Sequence, residues 1–130
     1  MNMSINYLFT DNAPKPIGPY SQAVECGDFV FISGQIPLCP NSGEVVGDDI
    51  AVQTRTALSN LKAILENAGL GFKNVVKITV FLTDINNFGK FNEIYQQELN
   101  EAAPARSVVE VSALPRGVLV EIEAVVYKCK

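Results

Sequence analysis

Three side chains in this sequence are placed to do chemistry together. Arg106 stands in Pro104-Ala105-Arg106-Ser107, just before the valine-rich run Val108, Val109, Glu110, Val111. A short turn at Leu114-Pro115-Arg116-Gly117 leads into a second apolar strand that carries Glu121 and Glu123. Read as a β-hairpin, these segments set a guanidinium opposite two carboxylates. A guanidinium stays charged at any physiological pH and grips a carboxylate through two parallel hydrogen bonds. Among valines it needs an anion, and two readings stand. One is an internal salt bridge to Glu121 or Glu123, a structural device that imitates a functional site. The other is a clamp on the carboxylate of a small substrate. The choice matters because the chain has no histidine, the commonest acid–base side chain of enzymes.

Glu121 and Glu123 are two apart, so both project from one side of their strand. Their neighbours there, Leu119, Val125 and Tyr127, are apolar, which points to burial at an interface and a purpose for at least one carboxylate. Asn92 lies among Phe88, Phe91 and Tyr95 at spacings of three and four. A polar amide beside an apolar helical stripe is more often a local hydrogen-bonding group than a ligand contact. Tyr20, after a proline-rich loop, and Ser33, before Gly34, are ordinary in isolation. A glycine at a strand end does let a ligand approach the backbone closely.

Positioning these residues falls to a recognisable set of elements. Residues 11–19 hold three prolines and a glycine and read as a loop. Residues 23–26 and 29–33 read as a hairpin turning at Gly27-Asp28, with 34–37 ending its second strand. From 49 to 68, Ile50, Leu58, Leu61, Ile64, Leu65 and Ala68 recur at helical spacing, with Asp48 or Asp49 as cap and Gly69 as stop. Residues 75–82 alternate as a strand. Asn86 or Asn87 opens a second helix with the stripe Phe88, Phe91, Tyr95 and Leu99. Strands at about 107–111 and 118–127 close the chain. The order ββ-α-β-α-ββ implies an α+β two-layer sandwich, one mixed sheet with both helices on one face. In the last strand Val118, Val120, Ile122, Ala124 and Val126 should meet the helices. In the middle strand Val76, Ile78, Val80 and Leu82 should lie on one side, with Thr79 and Phe81 on the other. Two helices leave the second face uncovered, and its apolar groups predict an oligomer formed through it.

Composition narrows the function classes. The 130 residues, 48% hydrophobic and 18% charged, predict one globular domain spanning 1–130. A net charge of -4 and a pI near 4.7 argue against a nucleic-acid binder, which usually presents a basic face. No basic-then-apolar leader opens the chain and no apolar run is long enough to span a bilayer. Cys26, Cys39 and Cys129 are odd in number and scattered, so they read as small apolar fillers in a reduced, cytoplasmic protein with no metal site and no cofactor.

Several blocks, taken together, resemble one family. Ile17-Gly18-Pro19-Tyr20-Ser21-Gln22-Ala23 and Phe31-Ile32-Ser33-Gly34-Gln35-Ile36-Pro37 are similar to the N-terminal half of the Rid (YjgF-type) reactive-intermediate imine deaminases. So are Asn60-Leu61-Lys62-Ala63-Ile64-Leu65, residues 76–84 and Phe91-Asn92-Glu93-Ile94-Tyr95. The C-terminal block runs from Pro104-Ala105-Arg106-Ser107 through Leu114-Pro115 to Val120-Glu121-Ile122-Glu123-Ala124. The resemblance implies a chorismate-mutase-like subunit and a homotrimer with sites between subunits. It also implies hydrolysis of 2-imino acids, such as 2-iminobutanoate and 2-iminopropanoate, to 2-oxo acids and ammonia. In that family Arg106 would hold the substrate carboxylate and Glu121 would activate water. Tyr20, Ser33, Gly34 and Asn92 would line the pocket. Many bacterial members have cysteine two residues after the arginine. Val108 stands there instead, so only its backbone could contact the imine and covalent catalysis at that position is excluded. Two alternatives to a deaminase remain: a small-carboxylate-binding regulator without turnover, and a ribonuclease or translation inhibitor, against which the acidic balance weighs.

Overall fold

The computed structural model describes residues 4–128. Six strands form one sheet: β1 (Ile5–Leu8), β2 (Ala23–Cys26), β3 (Phe29–Gln35), β4 (Val75–Leu82), β5 (Ala105–Glu110) and β6 (Val120–Tyr127). Helix α1 (Ile50–Asn67) joins β3 to β4, and α2 (Phe88–Leu99) joins β4 to β5. The strand order is β1-β2-β3-β6-β4-β5. Only β4 and β5 run parallel; the other pairings are antiparallel. The sheet is therefore mixed, and both helices pack on one face of it, the α+β sandwich read from the sequence.

Local chemistry explains the elements. Asp49 caps α1, its Oδ1 accepting from the Val52 N–H at 2.9 Å, and Gly69 ends it in the left-handed region at φ 75°, which costs glycine little. Leu58, Leu61 and Leu65 of α1 and Phe91 of α2 are fully buried against Ile78, Leu82, Val120 and Ile122 of the sheet. Burying each such side chain is worth roughly 1.5–3 kcal/mol, and this cluster is what fixes the strands.

Three features depart from the sequence reading. Residues 5–8 form an additional edge strand, paired with β2 from Ile5↔Cys26 to Leu8↔Ala23. More consequentially, β5 and β6 are not a hairpin, because β4 lies between them. Helix α2 is a crossover that returns the chain parallel to β4, as a parallel pair requires, and β6 then takes the other side of β4. Thirdly, Val76 is not in the inward row with Ile78. The pairing slips between Val75 and Lys77, which turns Val75 into the core and leaves Val76 44% exposed.

On the face away from the helices, Phe29 pairs with Tyr127 and Phe31 with Val125. The ring of Phe29 lies 5.4 Å from Tyr127 and 6.5 Å from Phe31, and Phe31 is 47% exposed. This is the uncovered apolar face that the element order anticipates. Cys26 and Cys39 are unpaired and only partly buried, so neither is a core filler; Cys129 lies outside the described residues. Among the described residues no helix is long and apolar enough to cross a membrane.

Candidate functional site

Arg106 is placed by the β4–β5 ladder. It stands in register with Ile78, whose side chain is buried under the helices, so Arg106 too points to the helix side. There its Nη1 donates to Asn92 Oδ1 at 2.8 Å. Its guanidinium carbon sits 4.7 Å from the Tyr95 ring centre, 5.6 Å from Phe88 and 5.9 Å from Phe91. Each such contact is worth about 0.5–2 kcal/mol, more as water is excluded. Among the described residues Arg106 makes no ion pair; the pairs present are Lys90–Glu93 and Lys128–Glu25. The internal salt bridge to Glu121 or Glu123 is thereby overturned. With β4 between the strands there is no cross-strand neighbour relation, and the carboxylates project from the opposite face. The cation lies in a cleft of about 530 Å³ whose walls include Asn92, Tyr95, Leu99 and Pro104. Val108, two residues on, faces the same side and packs on the core. Burial holds the Tyr95 phenol protonated by raising its pKa, against the pull of the nearby Arg106.

Glu121 belongs to a second cleft. It pairs with Phe81 on the open face, where its carboxylate lies directly over Gly34. A Cβ at Gly34 would collide with the Glu121 side chain, so this glycine is required by close approach. The room is made by a β-bulge. Ile32 pairs with Ala124 and Gln35 with Ile122, leaving Ser33 and Gly34 together opposite Glu123; bulges of this kind re-aim side chains beside functional sites. Burial raises the Glu121 pKa above the ordinary carboxylate value of 4.5, and the neighbouring Glu123 charge adds to the rise. A carboxyl shifted upward in this way is a better proton acceptor than an ordinary carboxylate. The cleft, about 440 Å³, is lined by Ile17, Tyr20, Ser33, Gly34, Ile36, Pro115 and Glu121.

Buried amides hold this second cleft in shape. Gln22 Oε1 accepts from the Thr10 N–H at 2.8 Å, while its Nε2 donates to the carbonyls of Thr10, Ala13 and Pro14 at 3.0, 3.3 and 2.9 Å. The proline-rich loop that carries Ile17 and Tyr20 is thus tied to β2. The backbone carbonyl of Gln22 accepts from Ser33 N–H at 2.9 Å, and Ser33 Oγ donates to the Ser21 carbonyl at 2.6 Å. Asn60 of α1 donates to the carbonyls of Ile36 and Leu38 at 3.2 and 3.0 Å.

The sequence-derived candidates therefore fall into two groups. Arg106, Asn92 and Val108 stand together on the helix side; Tyr20, Ser33, Gly34 and Glu121 stand together on the open side. Glu123 joins neither, being exposed beside Thr79 and Phe31. Gln22, Ile17, Ile36, Pro115 and Tyr95 were not singled out as site residues by the sequence. The signal for Gln22 was a glutamine directly ahead of a strand, and that for Tyr95 was hidden in an apolar stripe. No group of three acidic, thiol or imidazole ligands clusters among the described residues.

The family model for endoribonuclease L-PSP matches residues 10–128. A RutC family protein of Pyrococcus horikoshii is 58% identical over 121 residues, covering 93% of this chain and 96% of its own. The mouse protein named 2-iminobutanoate/2-iminopropanoate deaminase is 50% identical over 118 residues, covering 91% of this chain and 87% of its own. Among solved structures, E. coli TdcF with bound serine superposes with a TM-score of 0.91 at 45% identity, covering 95% of this chain and 99% of its own. A match along nearly the whole chain, in sequence and in fold, makes this protein a member of the YjgF/Rid/RutC family.

Proposed function

We propose that this protein hydrolyses small 2-imino acids, such as 2-iminobutanoate and 2-iminopropanoate, to 2-oxo acids and ammonia. The observation that carries the reading is the guanidinium of Arg106, held by Asn92 and three rings with no carboxylate of the described residues paired with it. A cation so prepared is an anchor for an anion brought from outside. The mouse relative is named for 2-imino acids and the E. coli relative holds serine; each ligand presents a carboxylate next to a carbon that bears nitrogen.

Arg106 and Glu121 project from opposite faces of one sheet, so a single chain does not bring them to one small ligand. Two copies do, if the open face of one meets the helix side of another near β5. We therefore place the site between subunits of a homotrimer, the assembly that the resemblance implies and that would cover the aromatic face. In that site Arg106 of one copy holds the carboxylate and Glu121 of the next holds a water. As the water oxygen bonds to C2 of the protonated imine, Glu121 takes a proton from it. The resulting carbinolamine nitrogen then receives that proton from Glu121. Glu121, a carboxylate again, takes the C2 hydroxyl proton as the C2–N bond breaks toward nitrogen, so ammonia leaves and C2 becomes the carbonyl of a 2-oxo acid. The imine is already electrophilic, so orientation and proton transfer suffice.

The test is the rate of 2-oxobutanoate release when the protein is added to a threonine dehydratase reaction. Acceleration over spontaneous hydrolysis, absent with Arg106→Ala, supports the reading; no acceleration overturns it. Arg106-dependent carboxylate binding without acceleration would instead identify a carboxylate-binding regulator.

A further inference from the structure

The open face of the sheet carries two charges that the proposed reaction does not use. Cross-strand register sets its side chains in rows: Phe81 with Glu121, then Thr79 with Glu123, then Lys77 with Val125 and Phe31. Lys77 and Glu123 are therefore diagonal neighbours on adjacent strands, within reach of long side chains. They nonetheless form no ion pair; the pairs present among the described residues are Lys90–Glu93 and Lys128–Glu25. Instead they border a common cleft of about 220 Å³, walled also by Phe31, Thr79 and Val125. Around it the face is apolar, with Phe29, Phe31, Val109 and Tyr127 exposed. In water a lone ammonium and a lone carboxylate are well solvated. Under a covering subunit they are not, and a buried charge without a partner is costly.

We propose that Lys77 of each copy pairs with Glu123 of the next in the homotrimer, and that this repeated ion pair sets the register at which the open faces meet. Whatever covers the face must bring an anion to Lys77 and a cation to Glu123. A second copy of this chain brings both. A closed ring repeats one interface, and each copy offers one Lys77 and one Glu123, so every charge finds a partner and none is left over. Glu121, one row away, stays free for water. Rings alone would not fix the register, because the hydrophobic effect is non-directional. Charges do so by penalty: a slipped register sets like against like, or buries both unpaired.

This inference rests on the site between subunits, and its test reads mass instead of turnover. Lys77→Glu and Glu123→Lys chains are coexpressed in equal amounts, one with a mass tag, so that neither must fold alone. Native mass spectrometry then counts the assemblies. Random association leaves about a quarter of trimers made of one variant only. In such a trimer every pair is Glu against Glu or Lys against Lys, whereas a mixed trimer restores opposite charges at two of its three interfaces. Single-variant trimers should therefore fall at least roughly tenfold below the random share. Lys62→Glu with Glu66→Lys makes the same charge changes on exposed positions of α1 and should keep the random share. A share near a quarter for the Lys77 and Glu123 variants would show that these charges do not meet across the interface, and overturns the inference while the trimer stands. So would an equal fall in the α1 control, or a mixture that does not assemble. A monomeric wild type overturns the inference together with the site between subunits. Loss of single-variant trimers in a protein that does not hydrolyse imines would sink the deaminase reading and leave this one standing.

Discussion

The cleft of Arg106 and the cleft of Glu121 are built by different means. The first rests on the hydrophobic core: Phe91 is fully buried and serves at once as a core residue and as a wall of the cation. The second rests on polar bookkeeping of the backbone, with a bulge at Ser33 and Gly34 and a loop held by four hydrogen bonds of one glutamine side chain. The contrast follows from their tasks. Holding an anion calls for a cation stripped of water and fixed in orientation, which rings and packing provide. Moving a proton calls for a carboxyl with room to meet water and a tuned pKa, which requires a gap in the side-chain layer. Gly34 is that gap.

The comparison can be pressed experimentally. Glu121→Gln should lower kcat about 10²- to 10⁴-fold, the usual contribution of an acid–base group, with little change in KM. Arg106→Ala should chiefly raise KM, on the order of 100-fold for a lost charge-assisted pair. If the two clefts meet only between copies, a 1:1 mixture of these two impaired variants, after subunit exchange and assayed at substrate far below the KM of Arg106→Ala, should regain about a quarter of wild-type activity by random assembly. No recovery on mixing, with exchange verified by mass, would place both residues in one subunit's site. Gly34→Ala should act as a weaker Glu121 variant, lowering kcat roughly tenfold by displacing the carboxylate, while carboxylate affinity is unchanged.

The smallest effect concerns stability. Because the fold raises the Glu121 pKa, the folded state favours the protonated carboxyl. Its contribution is complete below the ordinary value of 4.5 and is lost as pH rises through the raised folded value. Glu121→Gln should therefore unfold at a higher temperature than wild type at pH 7, with the gap narrowing toward pH 4.5. An equal gap at both values would show that Glu121 is not perturbed by its surroundings. A Gly34→Ala chain should show a smaller pH-dependent gap from the glutamine variant, its carboxylate having been pushed toward solvent.

Much of the architecture was legible because hydrophobic period and caps are local signals. Asp49, Gly69 and the alternating row from Val118 to Val126 each announce an element without reference to the rest of the chain. The β5–β6 pairing was not legible, since strands adjacent in sequence are usually, but not always, adjacent in a sheet, and nothing local shows that β4 inserts. That one misplacement produced the hairpin salt bridge for Arg106. Val76 was misplaced for a related reason: a bulge shifts the alternation without changing the residue types. Of the site, Arg106, Glu121 and Gly34 were visible in motifs that resemble the family, and the structure sorted them into two faces. Gln22 and Tyr95 were opaque because their roles consist of what they contact, the loop carbonyls for one and the Arg106 guanidinium for the other, which residue type alone does not show.

The extra residue in β3 also acts as a change of reading frame. Before it, odd-numbered Phe29 and Phe31 look outward while Val30 and Ile32 look in. After it, odd-numbered Gln35 looks in, opposite Ile122. Everything from Gln35 to the carbonyls that Asn60 grips depends on that switch of parity. Deleting a single residue at 33 or 34 would turn Gln35 out of the interior and pull the strand's exit away from α1. A loss of one residue there is thus an error of phase rather than of chemistry, and no substitution downstream would correct it.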